Sequence, residues 1–281
     1  MLRIEALEGH QEQDKPGGIE DSVRRWGEYL DFLNAFYLLL DSAMLEVANF
    51  AYFNLHEITN RDAFRVRYED GKSVGENIAT ESIASVFQMG GRHLSSYPRG
   101  VPIEYDSKII MRQVVPIEVV QRASTMFASV ISSPGSEKDL ASFAKGLGEY
   151  KVGNYETSLV LAWFITEGSI AHLWERHLDS LNREYENGQK KINRERHALL
   201  VGRDFTISMV SNLLELWDVL PNSLFKDIDA VRGFRNRIVH KLKYVPNATD
   251  TQLALKTAQV MIERIWNISY IPSLSYSVSG I

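Results

Sequence analysis

The chain has 281 residues, of which 44% are hydrophobic, so it is long enough for one large domain or two ordinary ones with a substantial core. Its formal net charge of −5 and pI near 5.9 argue against a protein that coats nucleic acid non-specifically. A small local basic cleft that admits RNA stays compatible with that charge. The chain contains no cysteine, which excludes disulfides, thiolate metal ligands and cysteine nucleophiles.

The apolar segments do not predict export or insertion into a membrane. Residues 1–15 lack a basic stretch followed by an apolar one, so we expect no secretory signal. The most apolar stretch, residues 32–55, is interrupted by polar side chains and is typical of a buried or amphipathic helix. The absence of cysteine is compatible with the cytosol, and we expect a cytoplasmic protein.

The N-terminal part of the chain shows mixed patterns. Helical periodicity runs through residues 23–55, with the apolar side chains on one side. Strands are predicted at residues 64–68, 101–105 and 108–115, and shorter helices at 80–89 and 117–131. A cluster of turn residues at 132–138 indicates a boundary. We therefore expect a mixed α+β domain of unknown role over residues 1–135.

The rest of the chain is predicted to be almost wholly helical. Apolar periodicity predicts helices at residues 140–147, 155–181, 205–220, 223–244 and 251–268. The charged stretch 182–203 predicts a connection or an exposed helical extension. We expect a mainly α fold in which residues 140–268 form an up-and-down bundle of four to five helices. The tail, residues 269–281, is apolar but irregular and is able to pack back as an edge strand.

Chemically useful side chains are concentrated in the helix predicted at residues 223–244. Asn236 and His240 are four residues apart and share one helix face, and Arg235 lies within reach of that face. Arg232 lies one turn before Asn236 and extends the polar stripe. The group combines a fixed cation, an amide and a residue that exchanges a proton near neutral pH. That is the minimal set for cleaving a phosphodiester without a metal.

The motif R-N-x-x-x-H near the end of the third long helix of such a bundle resembles the HEPN superfamily over residues 140–268. Members are mostly ribonucleases of toxin–antitoxin, abortive-infection, CRISPR-associated and RNA-processing systems. Their motif, R-x(4–6)-H with a polar residue after the arginine, fits Arg235, Asn236 and His240 with the four-residue spacing. The mixed domain ahead of the bundle is similar to abortive-infection proteins of the ApeA type.

The resemblance implies a metal-independent endoribonuclease without a cofactor, acting as a toxin-like defence or stress effector on tRNA or mRNA. Cleavage by the 2′-hydroxyl would leave 2′,3′-cyclic phosphate and 5′-hydroxyl ends. Arg235 would bind the phosphoryl oxygens, His240 would serve as acid or base, and Asn236 would hold the imidazole or a phosphate oxygen. Because one chain supplies one such histidine, the resemblance also implies a homodimer built on the motif-bearing helix. Further candidates are Arg232 and Arg237 for substrate binding, and Glu167 and Tyr244 as supporting groups.

Other interpretations of these residues stay open. Arg235 and His240 also suit the C-terminal end of a helix, where cations complement the helix dipole. Arg232 and Arg237 fit a solvated face, and Glu167 fits a surface or interhelical position. The alternative function is a HEPN-type module that binds RNA or a nucleotide, or regulates a partner, without cutting. Histidines 172 and 177 do not match the H-E-x-x-H zinc motif and are interpreted as ordinary helix residues.

One feature departs from the family pattern. HEPN toxins that pair with nucleotidyltransferase antitoxins often carry a tyrosine two residues after the histidine. This chain has Leu242 at that position, and Tyr244 lies two residues further on. The resemblance therefore gives little support to that kind of antitoxin, and an antitoxin or regulatory partner of another kind stays open.

Overall fold

The computed structural model describes residues 19–49, 55, 57–59, 65–69, 72–76, 115–240 and 244–274. These residues contain eight helices and two strands, in the order α1 (Ile19–Ala48), β1 (Arg65–Glu69), β2 (Lys72–Glu76), α2 (Ile117–Ile131), α3 (Ser136–Lys151), α4 (Tyr155–Leu181), α5 (Arg194–Leu200), α6 (Ile207–Leu216), α7 (Asn222–His240) and α8 (Ala248–Trp266). The mainly helical fold is confirmed. None of the described helices combines the length and apolar character that crossing a lipid bilayer requires.

The chain divides into two compact units. The smaller unit comprises Met1–Leu33 and Ile58–Tyr105, and the larger comprises Asn34–Glu57 and Asp106–Ile281. The larger unit therefore includes α2 and the second half of α1 as well as the predicted bundle. The reason is packing that the sequence pattern does not reveal, since Phe36 of α1 meets Phe127 of α2 edge to face at 5.2 Å.

In the smaller unit the described strands form one antiparallel hairpin. Arg65 pairs with Glu76 and Glu69 pairs with Lys72, which confirms the strand predicted at residues 64–68. The helix predicted at 80–89 and the strands predicted at 101–105 and 108–115 fall outside the described residues, apart from residue 115. The mixed α+β character of an N-terminal domain therefore stays a prediction.

In the larger unit α4 is the central helix and packs against α3, α6, α7 and α8. The direction of each helix follows from contacts near its ends. The Tyr150 hydroxyl at the end of α3 accepts from Gln252 at the start of α8, at 2.6 Å, whereas Asp139 at the start of α3 accepts from Trp266 at the end of α8, at 2.7 Å. Thus α3 and α8 run antiparallel.

The remaining long helices complete an up-and-down arrangement. The Thr251 hydroxyl of α8 donates to the carbonyl oxygen of Tyr155 at the start of α4, and His172 of α4 meets the Trp266 ring at 5.5 Å, so α4 and α8 run parallel. Arg264 of α8 donates to the carbonyl oxygen of Val219, just before α7 begins, so α7 runs antiparallel to α8. The helices α3, α4, α7 and α8 therefore alternate in direction along the chain, as predicted.

The core of this unit consists of apolar side chains that repeat every three or four residues along each helix. On α4 they include Leu159, Trp163, Ile170 and Trp174, all with at most 3% of their surface exposed. Small hydroxyl groups inside the core bond to backbone carbonyls, which removes the penalty for burying them. The Ser158 hydroxyl, for example, donates to the carbonyl oxygen of Gly146 at 2.6 Å, which holds α3 close to α4.

The connection between α4 and α6 and the C-terminal tail differ in how firmly they pack. Helix α5, inside the charged stretch 182–203, buries none of its residues, which fits the predicted exposed extension. In the tail, by contrast, Tyr270 is buried edge to face against Phe143 at 5.3 Å, and its carbonyl oxygen accepts from Gln259 at 2.7 Å. The tail packs back as predicted, although residues 269–274 contain no strand.

Candidate active site at the end of helix α7

Helix α7 presents the predicted motif in its last two turns. The helix follows Pro221, and it buries Leu224, Ile228 and Val231, which are spaced four and three residues apart on one face. The residues after Val231 are half-buried or exposed, so the motif lies where α7 leaves the core. Arg237 and His240 occupy the last turn, where positive charge complements the partial negative charge of the helix end.

Two of the three predicted catalytic residues are bonded to each other. Arg235 donates from Nη1 to Asn236 Oδ1 at 3.2 Å, and both side chains are half-buried. The bond uses the oxygen of the amide and leaves its Nδ2 hydrogens as donors toward other groups. His240 is exposed at the helix end, one turn after Asn236. Asn236 and His240 thus share one face at the end of the helix, and the hydrogen bond to Asn236 holds the Arg235 guanidinium beside that face.

The structure gives Arg232 a partner that the sequence analysis did not foresee. Its guanidinium forms an ion pair with Asp229, three residues earlier on α7. A carboxylate beside this arginine reduces the net positive charge that a phosphate would meet there. Arg232 is therefore less suited to substrate binding than its spacing from Asn236 suggested.

Arg237 is held by two aromatic rings. Its guanidinium lies 5.0 Å from the ring centroid of Phe234 and 4.2 Å from that of Tyr244. The two rings are themselves nearly parallel, with centroids 6.2 Å apart and an angle of 18° between them. The two rings fix the Arg237 guanidinium beside the motif, and Arg237 stays exposed to solvent. The three-residue spacing of Phe234 and Arg237 was the sequence signal for half of this cluster.

Tyr244 links the motif to the start of α8. Its hydroxyl donates to Asp250 Oδ2 at 2.8 Å, and Asp250 also closes a reciprocal cap with Asn247, whose side chain accepts from the Asp250 backbone N–H. Burial, together with the hydrogen bond to Asp250, raises the pKa of Tyr244 to about 12. The hydroxyl therefore stays protonated near neutral pH and acts as a donor. Tyr244 thus orders the turn beside the motif, a role that fits the predicted supporting group.

Glu167 lies on α4, and no contact joins it to the motif. Within the described part of the chain it forms no hydrogen bond or ion pair with Arg235, Asn236 or His240. The start of α4 at Tyr155 lies level with Thr251 of α8, and Glu167 is twelve residues further along, or about 18 Å. Over the same described residues, no three histidine or acidic side chains converge in the manner of a metal site.

Comparison of the chain with protein-family models, with curated proteins and with solved structures finds no match.

Proposed function

We propose that this protein is a metal-independent endoribonuclease whose active site is the end of α7. The observation that carries the proposal is the hydrogen-bonded pair of Arg235 and Asn236 beside the exposed imidazole of His240. The resemblance of this motif to the HEPN ribonucleases supports the same reaction. We further propose a cytoplasmic role as a toxin-like effector in defence or stress, with tRNA or mRNA as its substrate.

Each group has a distinct part in the proposed reaction. The 2′-hydroxyl oxygen of the RNA attacks the adjacent phosphorus while the bond from phosphorus to the 5′-oxygen breaks. One imidazole removes the proton of the 2′-hydroxyl, and a protonated imidazole supplies a proton to the departing 5′-oxygen. Arg235 donates to the phosphoryl oxygens as their charge increases, and the free Nδ2 of Asn236 binds one of them. The products carry 2′,3′-cyclic phosphate and 5′-hydroxyl ends.

The reaction needs one base and one acid, whereas each chain places one histidine at this site. A homodimer across α7 would bring a second His240 into the same cleft. Features of α7 compatible with such a contact are the exposed Val239, with 52% of its surface accessible, and Gly233, where an added Cβ would meet no atom within 4 Å. We propose that the exposed surface of α7 around Val239 and Gly233 forms the dimer contact. Any antitoxin or regulatory partner would then act on the assembled site.

The proposal is tested by incubating the purified protein with total tRNA and mRNA in EDTA and mapping the product ends. We expect His240→Ala and Arg235→Ala each to lower the cleavage rate by at least about 100-fold. The first variant loses proton transfer, and the second loses the stabilisation of charge on the phosphoryl oxygens. Asn236→Ala should have a smaller effect. The matched control is Arg194→Ala, which removes an exposed arginine of α5. Full activity in a folded His240→Ala protein would refute the assignment.

Two further experiments address the dimer and the nucleophile. Mixing histidine-deficient with arginine-deficient protomers should remove most activity from the hybrids, since no hybrid cleft keeps all four groups.

A substrate with a 2′-O-methyl group at the cleavage position should stay intact, because the attacking hydroxyl is blocked. Cleavage of that substrate, or activity that EDTA removes and Mg²⁺ restores, would place the reaction at another site.

A second candidate function is RNA binding without cleavage. The cluster of Arg237, Phe234 and Tyr244 favours it, since nucleobases stack on aromatic rings and on guanidinium groups that lie beside them. RNA that binds wild-type protein, fails to bind Arg237→Gln and is never cut would support this candidate over the nuclease.

A further inference from the structure

A second polar site lies at the opposite end of the bundle from the motif. An open pocket of about 340 Å³ is lined by Leu173, Arg176, His177, Val219 and Arg264. Arg264 is fourteen residues after Asp250 on α8, a distance of about 21 Å along the helix. Since Asp250 is bonded to Tyr244 beside the motif, the pocket and the proposed active site are well separated.

The pocket presents two positive charges that are not neutralised within it. Arg176 and Arg264 are both exposed, and neither forms an ion pair over the described part of the chain. Asp218, the acidic residue adjacent to Val219 in the sequence, likewise forms no ion pair with them. Arg264 is held in place because it donates to the Val219 carbonyl oxygen, and the other N–H groups of its guanidinium are left for a ligand. Two arginines in such a pocket favour an anion.

A cluster of aromatic rings adjoins the pocket at His177, which is one of its lining residues. The His177 ring lies 4.8 Å from the ring of Trp217, and Trp217 is parallel to Trp174 at 5.9 Å with 3° between the planes. Trp174 is fixed by its indole N–H, which donates to the carbonyl oxygen of Leu200 at 2.8 Å. Trp217, in contrast, keeps 47% of its surface exposed. An exposed indole on a rigid aromatic stack is suited to receive another planar ring.

His177 shows an unmet hydrogen-bonding requirement. Its Nε2 atom is buried and has no hydrogen-bond partner among the described residues. Buried ring nitrogens in folded proteins are almost always paired. His177 lines the pocket, so a turn of its ring toward the pocket would expose this unpaired nitrogen to a ligand. A ligand oxygen close to the ring would provide that partner.

We propose that this pocket binds a nucleotide, with its phosphate between Arg176 and Arg264 and its base stacked on Trp217. In this arrangement a phosphate oxygen accepts from His177, which satisfies the orphan nitrogen. A volume of about 340 Å³ is within the range of pockets for small ligands and accommodates a mononucleotide. A simple anion site would not need the exposed indole, and an apolar site would not need the two arginines. The nucleotide is either free or the 5′-phosphorylated end of an RNA, and these two sources share the chemistry.

Isothermal titration calorimetry of the full chain tests the proposal with five probes: AMP, adenosine, inorganic phosphate, and a trinucleotide with and without a 5′-phosphate. We expect saturable binding of AMP that is at least about tenfold tighter than that of adenosine or phosphate alone, because only AMP uses both halves of the site. Tighter binding of the 5′-phosphorylated trinucleotide than of AMP would identify an RNA end as the source. Tighter binding of AMP would identify a free nucleotide. Equal affinity for AMP and phosphate would refute the nucleotide.

Variants locate the binding within the pocket. Arg176→Gln should weaken AMP binding at least about tenfold. Lys256→Gln, which removes an exposed cation of α8 eight residues before Arg264, should leave it unchanged. Trp217→Ala should weaken the binding of AMP about tenfold while leaving phosphate binding as it was. His177→Phe keeps an aromatic ring and should weaken both ligands. Equal affinities of Arg176→Gln and Lys256→Gln for AMP would overturn the proposal.

Nucleotide binding in this pocket does not depend on the proposed nuclease activity, so either proposal can be refuted while the other stands. His240→Ala should bind AMP as tightly as the wild-type protein, because α8 separates the two sites by about 21 Å. Arg176→Gln should likewise still cut an RNA that lacks a 5′-phosphate. Loss of AMP binding in His240→Ala would show that the nucleotide occupies the motif instead of the pocket.

Discussion

Replacing Asp41 with asparagine should stabilise the protein, by an amount that increases with pH. Asp41 lies in α1 with none of its surface exposed, and neither carboxyl oxygen has a hydrogen-bond partner in the described part of the chain. Burial raises the pKa of Asp41 from 3.8 to about 6, although the nearby positive charge of Lys151 acts in the opposite direction. The folded protein therefore holds this proton at pH values where the unfolded chain has already released it.

The sign and size of the effect follow from that difference in pKa. Below about pH 3.8 the carboxyl group is protonated in both states, so its contribution to the free energy of unfolding does not change with pH. Between 3.8 and about 6 the unfolded chain binds fewer protons, so stability falls as the pH rises. At about 1.4 kcal/mol per pH unit, the interval corresponds to about 3 kcal/mol, and that loss is complete above about pH 7.

Urea denaturation followed by far-UV circular dichroism, at pH 4 and at pH 8, measures the effect. Asparagine has nearly the same shape and no charge, so Asp41→Asn should differ little from the wild-type protein at pH 4. At pH 8 it should be more stable by up to about 3 kcal/mol. The control is Asp204→Asn, an exposed carboxylate, which should change stability equally at both pH values. A gain that is the same at pH 4 and pH 8, or a loss at pH 8, would refute the reasoning.

Four substitutions test local features of the helices by the same denaturation measurement. Gly168→Ala should stabilise by about 0.5–1 kcal/mol, since an added Cβ on α4 meets no atom within 4 Å, and no gain would contradict this. Asn247→Ala should destabilise by about 1 kcal/mol, because it removes the acceptor that caps α8; unchanged stability would show that the cap is dispensable. Trp266→Phe should cost about 1–3 kcal/mol, because it leaves the half-buried carboxylate of Asp139 without its 2.7 Å donor, and a neutral result would argue against that bond. Gly202→Ala should cost about 1–3 kcal/mol, since the new Cβ would lie 2.8 Å from the Ala198 carbonyl oxygen, and wild-type stability would show that this turn can adjust.

Periodicity in the sequence was enough to place several helices. The helices predicted at residues 117–131 and 155–181 are found as Ile117–Ile131 and Tyr155–Leu181. In both cases a long apolar stripe follows a residue that interrupts helices, Pro116 or Gly153, so the pattern and the breaker agree. The position of the motif near the end of α7 was predictable for the same reason.

The ends of other helices were predicted less well, because they depend on single capping groups. Helix α1 was predicted to reach residue 55 but ends at Ala48. The next residue, Asn49, adopts a left-handed conformation with φ of 49°, which ends the helix. Helix α6 is shorter than predicted at both ends. Helix α8 begins at Ala248, capped by Asn247, whereas the pattern predicted a start at residue 251. Apolar spacing reports the face that a helix buries, and that face does not change when the helix gains or loses half a turn.

The sequence alone determined that Asn236 and His240 share a face of α7 with Arg235 in reach of it, since these positions follow from helix geometry. Only the tertiary structure decided which of the cations are available. It pairs Arg232 with Asp229, places Arg237 against a ring beyond the helix end, and brings Arg176 and Arg264 together from positions 88 residues apart in the chain. Spacing specifies neighbours within one helix, whereas contacts between helices depend on how the whole core packs, and no local pattern carries that information.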